Sequence, residues 1–90
     1  MRWTVKVSSR AEKRIRKLGR TQRKRVIEAL RALAQIANPR DDINVRPLSG
    51  ELRGLFRLRV GDYRIIFGLL TAERTIAVVH VAPRGDVYKN

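Results

Sequence analysis

Two runs of alternating residues meet at a Gly-Asp dipeptide, and that junction restricts the fold more than any other part of the chain. The runs are Phe56-Arg57-Leu58-Arg59-Val60 and Tyr63-Arg64-Ile65-Ile66-Phe67, joined by Gly61-Asp62. Gly-Asp favours a two-residue hairpin turn because glycine tolerates the positive φ that such turns require. A turn of that length leaves one register: Val60 faces Tyr63, Arg59 faces Arg64, Leu58 faces Ile65 and Arg57 faces Ile66.

Side chains alternate across a strand, so Phe56, Leu58, Val60, Tyr63, Ile65 and Phe67 share one face of this hairpin, and Arg57, Arg59 and Arg64 share the other. The first face suits burial. The second sets Arg59 directly against Arg64, a like-charge pairing that costs roughly 0.2–1 kcal/mol in a strand pair. A purely structural sequence tends to avoid that arrangement. The simplest alternative is that the long side chains splay into water and cover apolar surface with their stems.

The remaining patterns build outward from the hairpin. Trp3, Val5 and Val7 alternate with Arg2, Thr4 and Lys6, the period of a half-buried strand. Ser8 or Ser9 can cap a helix carrying Ala11, Ile15 and Leu18 on one stripe, with Gly19 as its stop. Thr21 can cap a second helix, with Val26, Ile27, Leu30, Leu33, Ala34 and Ala37 at helical spacing until Asn38-Pro39 ends it. A short stretch from Ile43 to Arg46 is confined to a sheet edge by Pro47, and Leu48-Ser49-Gly50-Glu51 reads as a turn. Strands are expected over Arg53 to Val60, Tyr63 to Leu70 and Arg74 to Ala82. The order β-α-α-β-β-β predicts a small α+β fold with a mostly antiparallel sheet and an αα-hairpin packed on one face. The other face is expected to be open and to hold the site.

Composition sharpens what that site would bind. The 90 residues, expected to form a single domain over 1–90, are 43% hydrophobic, ordinary for a folded chain. Lys and Arg number 21 against 8 Asp and Glu, for a net charge of +13. Arginine outnumbers lysine 16 to 5, and its planar fork of donors grips phosphate oxygens in pairs where lysine offers a point charge. Nucleic acid is the implied partner. Cysteine is absent and His80 stands alone, which excludes disulfides and thiolate zinc and leaves no cofactor expected. No apolar run resembles a signal peptide or a membrane span, so a cytoplasmic protein without membrane contact is expected. His80 reads as a strand residue satisfied by a backbone carbonyl, Trp3 as core and Asp62 as turn chemistry.

The segment Val60-Gly61-Asp62-Tyr63-Arg64-Ile65-Ile66-Phe67, preceded by Leu48-Ser49-Gly50 and followed by Arg84-Gly85-Asp86-Val87-Tyr88, resembles the RelE/ParE superfamily of toxins, and its RelE-like branch in particular. The resemblance spans nearly the whole chain. It implies the toxin of a type II toxin–antitoxin system: a ribosome-dependent, metal-independent endoribonuclease that cuts mRNA in the ribosomal A site and inhibits translation. It further implies an acidic RelB-like antitoxin as partner, in a hetero-oligomeric complex.

By the same resemblance, Arg57 and Arg59 hold the positions of a basic strand pair, Arg64 closes the Gly-x-Tyr-Arg signature, and Arg84 and Tyr88 stand for a C-terminal arginine and tyrosine. These five are the candidate catalytic residues. Two departures are visible: the strand pair is arginine where well-studied bacterial relatives carry lysine, and the compact C-terminal segment is expected to lack a further helix. Arginine is a poor proton acceptor, its pKa exceeding about 12, so the arginines suit the phosphate's charge and Tyr88 the proton. A ParE-like gyrase inhibitor and a non-catalytic nucleic-acid binder are the alternatives.

Overall fold

In the computed structural model, which describes residues 2–83, Gly61 adopts φ +57°. That is the backbone region the first central residue of the hairpin turn must enter, and glycine does so without steric cost. The strands it joins, β3 (Phe56–Val60) and β4 (Tyr63–Leu70), pair antiparallel with Val60 opposite Tyr63, Arg59 opposite Arg64, Leu58 opposite Ile65 and Arg57 opposite Ile66. Three more strands extend the sheet. β2 (Val45–Pro47) lies antiparallel to β3, β5 (Thr75–Pro83) antiparallel to β4, and β1 (Thr4–Val7) parallel to β5. The order is β1-β5-β4-β3-β2, so Pro47 sits on an edge, where its missing N–H removes no ladder bond.

Two helices, α1 (Ser9–Lys17) and α2 (Arg20–Leu33), complete an α+β fold in which both pack on one face of the mixed sheet. Ser8 caps α1 by accepting from the Ala11 N–H at 3.1 Å. The expected ends of the helices shift. Leu18 is extended and its N–H returns to the Ile15 carbonyl at 3.1 Å, so α1 stops before Gly19. Gly19 instead opens α2, its carbonyl accepting from Arg23 at 2.9 Å; Thr21 therefore lies inside the first turn and caps nothing. At the other end α2 stops at Leu33 rather than reaching Ala37. The Ala34 carbonyl is taken by the N–H groups of Arg2 and Trp3, and the Ala37 carbonyl by Trp3 Nε1 at 3.1 Å. Arg53 to Leu55 also leave the expected strand, because Gly54 turns at φ +100° before β3 begins.

The helical stripes meet the sheet in one core. Ala11 and Ile15 from α1, and Val26, Leu30 and Leu33 from α2, bury against Ile65, Phe67, Ile76 and Val78, with Trp3 closing one end. The rings of Phe56 and Phe67 stack at 5.6 Å. A register shift between Ile66 and Phe67 leaves Val79 as an extra residue in β5, since Ile66 faces His80 while Phe67 faces Val78. The bulge resets the alternation of β5, so that Val78 and Val81 both turn to the core. Ser8 binds the displaced segment: its N–H donates to the Val78 carbonyl at 2.9 Å and its hydroxyl to that of Val79 at 3.2 Å. The residue that caps α1 thus satisfies a carbonyl that the ladder leaves over.

Phe67, on β4 between β3 and β5, is among the largest side chains of the core and is fully buried. Phe67→Ala is expected to lower unfolding free energy by about 3–5 kcal/mol, read from denaturant midpoints; a loss below about 1 kcal/mol would contradict this placement of the core.

Candidate nucleic-acid interface

Burial of one face of the β3–β4 hairpin decides where its charges go. Leu58, Val60, Ile65 and Phe67 are buried beneath the helices, so the intervening Arg57, Arg59 and Arg64 project from the opposite side of the sheet. The structure brings these three expected residues together. It also adds a fourth. Val45 pairs with Leu58, and both are 3% exposed; one residue on, Arg46 stands directly opposite Arg57. Two cross-strand rows result. One contains Arg46, Arg57, Ile66 and His80, and the next contains Arg59, Arg64 and Ala82.

This face is not bare, contrary to the expectation of an open sheet surface. Ile66 is 1% exposed and Ala82 is fully buried, although both alternate with core residues and share the arginine side. The arginines therefore rise from an apolar floor, which lowers the local dielectric and strengthens their field. Partial burial, then the charges of Arg59, Arg64 and Arg46, hold the Arg57 pKa below the usual arginine value. The direction reports burial first and mutual repulsion second; the guanidinium remains a cation near neutral pH.

No acid relieves that repulsion among the described residues. Their single ion pair is Arg16–Glu12 at 3.1 Å, on the outside of α1, and the guanidinium groups of Arg46, Arg57, Arg59 and Arg64 make no hydrogen bond to another described residue. The helices are also basic, but their charge is interspersed. Arg20, Arg23, Lys24 and Arg31 flank Ile27 and Glu28 in a shallow depression of about 370 Å³. The sheet face concentrates cations without a counter-charge among the described residues.

The turn that holds this face is braced from the helical layer. The Arg25 guanidinium, on α2, lies over Gly61 so closely that a Cβ there would be 3.1 Å from Nη2. Positive φ selects glycine, while the guanidinium, at the end of a flexible side chain, can give way. Arg84 and Tyr88, the other two expected site residues, lie outside the described residues. Arg46 was not among the expected site residues, although the Val45-Arg46 alternation marks its face; recognising its neighbour required the β2–β3 register, which the intervening turn conceals. His80 is a strand residue of β5 as expected, and it too faces the arginine side.

A family model described as the ParE toxin of the type II toxin–antitoxin system parDE matches residues 5–88. Among relatives, Toxin RelG of Mycobacterium tuberculosis is 29% identical over 90 residues, covering 99% of each chain. Toxin RelE of the same organism is 32% identical over 44 residues, 49% of this chain and 45% of the relative. The archaeal RelE–RelB complex from Pyrococcus horikoshii contains a similar chain with a TM-score of 0.79 and 29% identity, covering 97% of this chain and all of that one. The M. tuberculosis RelBE2 complex gives 0.81 and 28%, covering 96% and 95%. With its two helices on a five-stranded mixed sheet, the fold is that of the RelE-like toxins. The chain belongs to the ParE toxin family of type II toxin–antitoxin systems, within the wider RelE/ParE group.

Two outcomes follow from the geometry. Gly61→Ala is expected to destabilise the fold by roughly 1–2 kcal/mol, read from thermal or denaturant melts; an unchanged melt would contradict the turn conformation. Arg59→Thr, which removes one of two opposed cations, is expected to raise the low-salt melting temperature by roughly 1–8 °C. That gain should shrink in 1 M salt, where screening acts within about 3 Å. A lower melting temperature at low salt would contradict a net cost of the Arg59–Arg64 pairing.

Proposed function

We propose that this toxin is a ribosome-dependent mRNA endonuclease that cuts mRNA in the A site and halts translation. The observation that carries the reading is the arginine face, which has no acidic partner among the described residues, with Arg59 opposed to Arg64 and Arg57 beside them. Such a face is costly in the free protein and favourable once a phosphodiester lies on it.

Cleavage of RNA through its own 2′-OH needs three things. The hydroxyl must lose a proton as its oxygen attacks phosphorus, the phosphorane must be stabilised, and the leaving 5′-oxygen must gain a proton as the P–O5′ bond breaks. Arg57, Arg59 and Arg64 serve the second need, because a fixed positive field favours the additional charge of the transition state over the ground state. By the resemblance of their segment to the family, Arg84 is assigned to the phosphate and Tyr88 to proton transfer, a phenol being able to exchange a proton where arginine does not. Arginine in place of a lysine pair leaves the general base outside the sheet, and positioning of mRNA by the ribosome supplies part of the rate, an effect worth up to about 7–11 kcal/mol in favourable cases.

An acidic antitoxin is the proposed partner. A net charge of +13 calls for a carboxylate-bearing segment over the arginines, and similar chains from P. horikoshii and M. tuberculosis were solved as RelE–RelB and RelBE2 complexes. No described helix is long and apolar enough to cross a membrane, consistent with a partner met in the cytoplasm.

Added to translating ribosomes, the protein is expected to generate new mRNA 5′ ends that do not form on naked RNA. Arg64→Ala is expected to lower that cleavage by roughly 100- to 1,000-fold, the usual loss when one donor to a developing anion is removed. Absence of new ends, equal cutting of naked RNA, or a fully active variant would each overturn the reading. The ParE description of the matching family favours one alternative, inhibition of DNA gyrase. A loss of supercoiling activity in a purified gyrase assay, without mRNA cleavage, would establish it instead.

A further inference from the structure

We propose that the arginine face is a two-phosphate grip, in which Arg46 and Arg57 hold one phosphate of a single strand while Arg59 and Arg64 hold the next. The inference rests on the reading that this face binds RNA, and it assigns a binding role to Arg46.

The register carries it. Arg46 is directly opposite Arg57 across β2 and β3, and Arg59 is directly opposite Arg64 across β3 and β4. Each pair brings two guanidinium forks side by side, the arrangement that suits the oxygens of one phosphate. The pairs are offset by two residues along β3, about 6.7 Å, and by one strand across the sheet, about 4.8 Å. That diagonal matches one nucleotide step of an extended strand, within the reach of flexible arginine side chains.

A single phosphate fits the face less well. Four guanidinium groups converging on one anion must approach one another, and Arg57 already lies in the fields of Arg59, Arg64 and Arg46. Two phosphates let the four cations remain spread while each is neutralised. The apolar residue that continues the first row agrees with this division: Ile66, 1% exposed, stands opposite Arg57 on β4 and follows Arg64 by two residues. It offers no donor, so the polar contacts remain with the two pairs. The strand would cross the sheet obliquely from β2 towards β4, bringing the sugar between the two phosphates over Arg57 and Arg59.

The test uses the full-length toxin free of partner and a 2′-O-methyl trinucleotide, which carries two phosphates and cannot be cleaved through its 2′ oxygens. Two further versions replace one phosphate or the other with a neutral methylphosphonate. Binding is read by NMR titration at low salt, for the parent, Arg46→Ala and Arg64→Ala, with thermal melts confirming that each variant folds; Arg46→Gln serves as a second variant at the edge position. Each substitution is expected to weaken binding of the fully charged trinucleotide roughly tenfold. The Arg46 penalty should vanish when one phosphate is neutral, and the Arg64 penalty when the other is. Coupling of both variants to the same phosphate would overturn the grip, as would an unchanged affinity in Arg46→Ala and Arg46→Gln, or a parent that does not bind the trinucleotide at millimolar concentration. Cleavage on ribosomes persists in those cases if the proposed activity is correct. Two separate couplings without any ribosomal cleavage would keep the grip and reject the nuclease.

Discussion

The pairing of Arg59 with Arg64 is the constraint around which the molecule is organised. It is unfavourable by itself, and it persists because the same register buries Leu58 and Val60 with Ile65 and Phe67. A slip of one residue would separate the cations, but it would also turn the apolar residues into water. The core therefore enforces the repulsion. Gly61 fixes the register at the turn, and Arg25 on α2 seats that turn against the helices.

This division gives the two sides of the sheet different tasks. The helical side supplies the apolar burial that holds a small domain together. The arginine side retains unfavourable electrostatics that a phosphate chain, or the carboxylates of a protein partner, can relieve. A protein built in this way gains stability when it binds, because a ligand that neutralises the face favours the folded state. Under the proposed function, self-repulsion in the free protein and binding of the ligand are one property.

Most of this arrangement was legible from local chemistry. Gly61-Asp62 between alternating runs gave the register residue by residue, and hence the common face of Arg57, Arg59 and Arg64. Helix ends were less legible: α2 stops at Leu33, short of the Ala37 that helical spacing assigned to it, and the Ala37 carbonyl accepts from Trp3 Nε1 instead. The fourth arginine was hidden as well. Arg46 reaches Arg57 only through a strand pairing formed across a turn of irregular backbone, and no local pattern specifies that register. The burial of Ile66 and Ala82 on the arginine side likewise emerges from packing. Arg84 and Tyr88, outside the described residues, rest on the resemblance of their segment to the family.

The most direct measurement of the central claim is a structure of the toxin on a ribosome programmed with mRNA that carries a 2′-O-methyl group at the A-site codon. The expected result places Arg57, Arg59 and Arg64 against the mRNA backbone, with the helices turned away from it. A bound toxin that presents its helical layer to the mRNA and leaves the hairpin arginines in solvent would contradict the account.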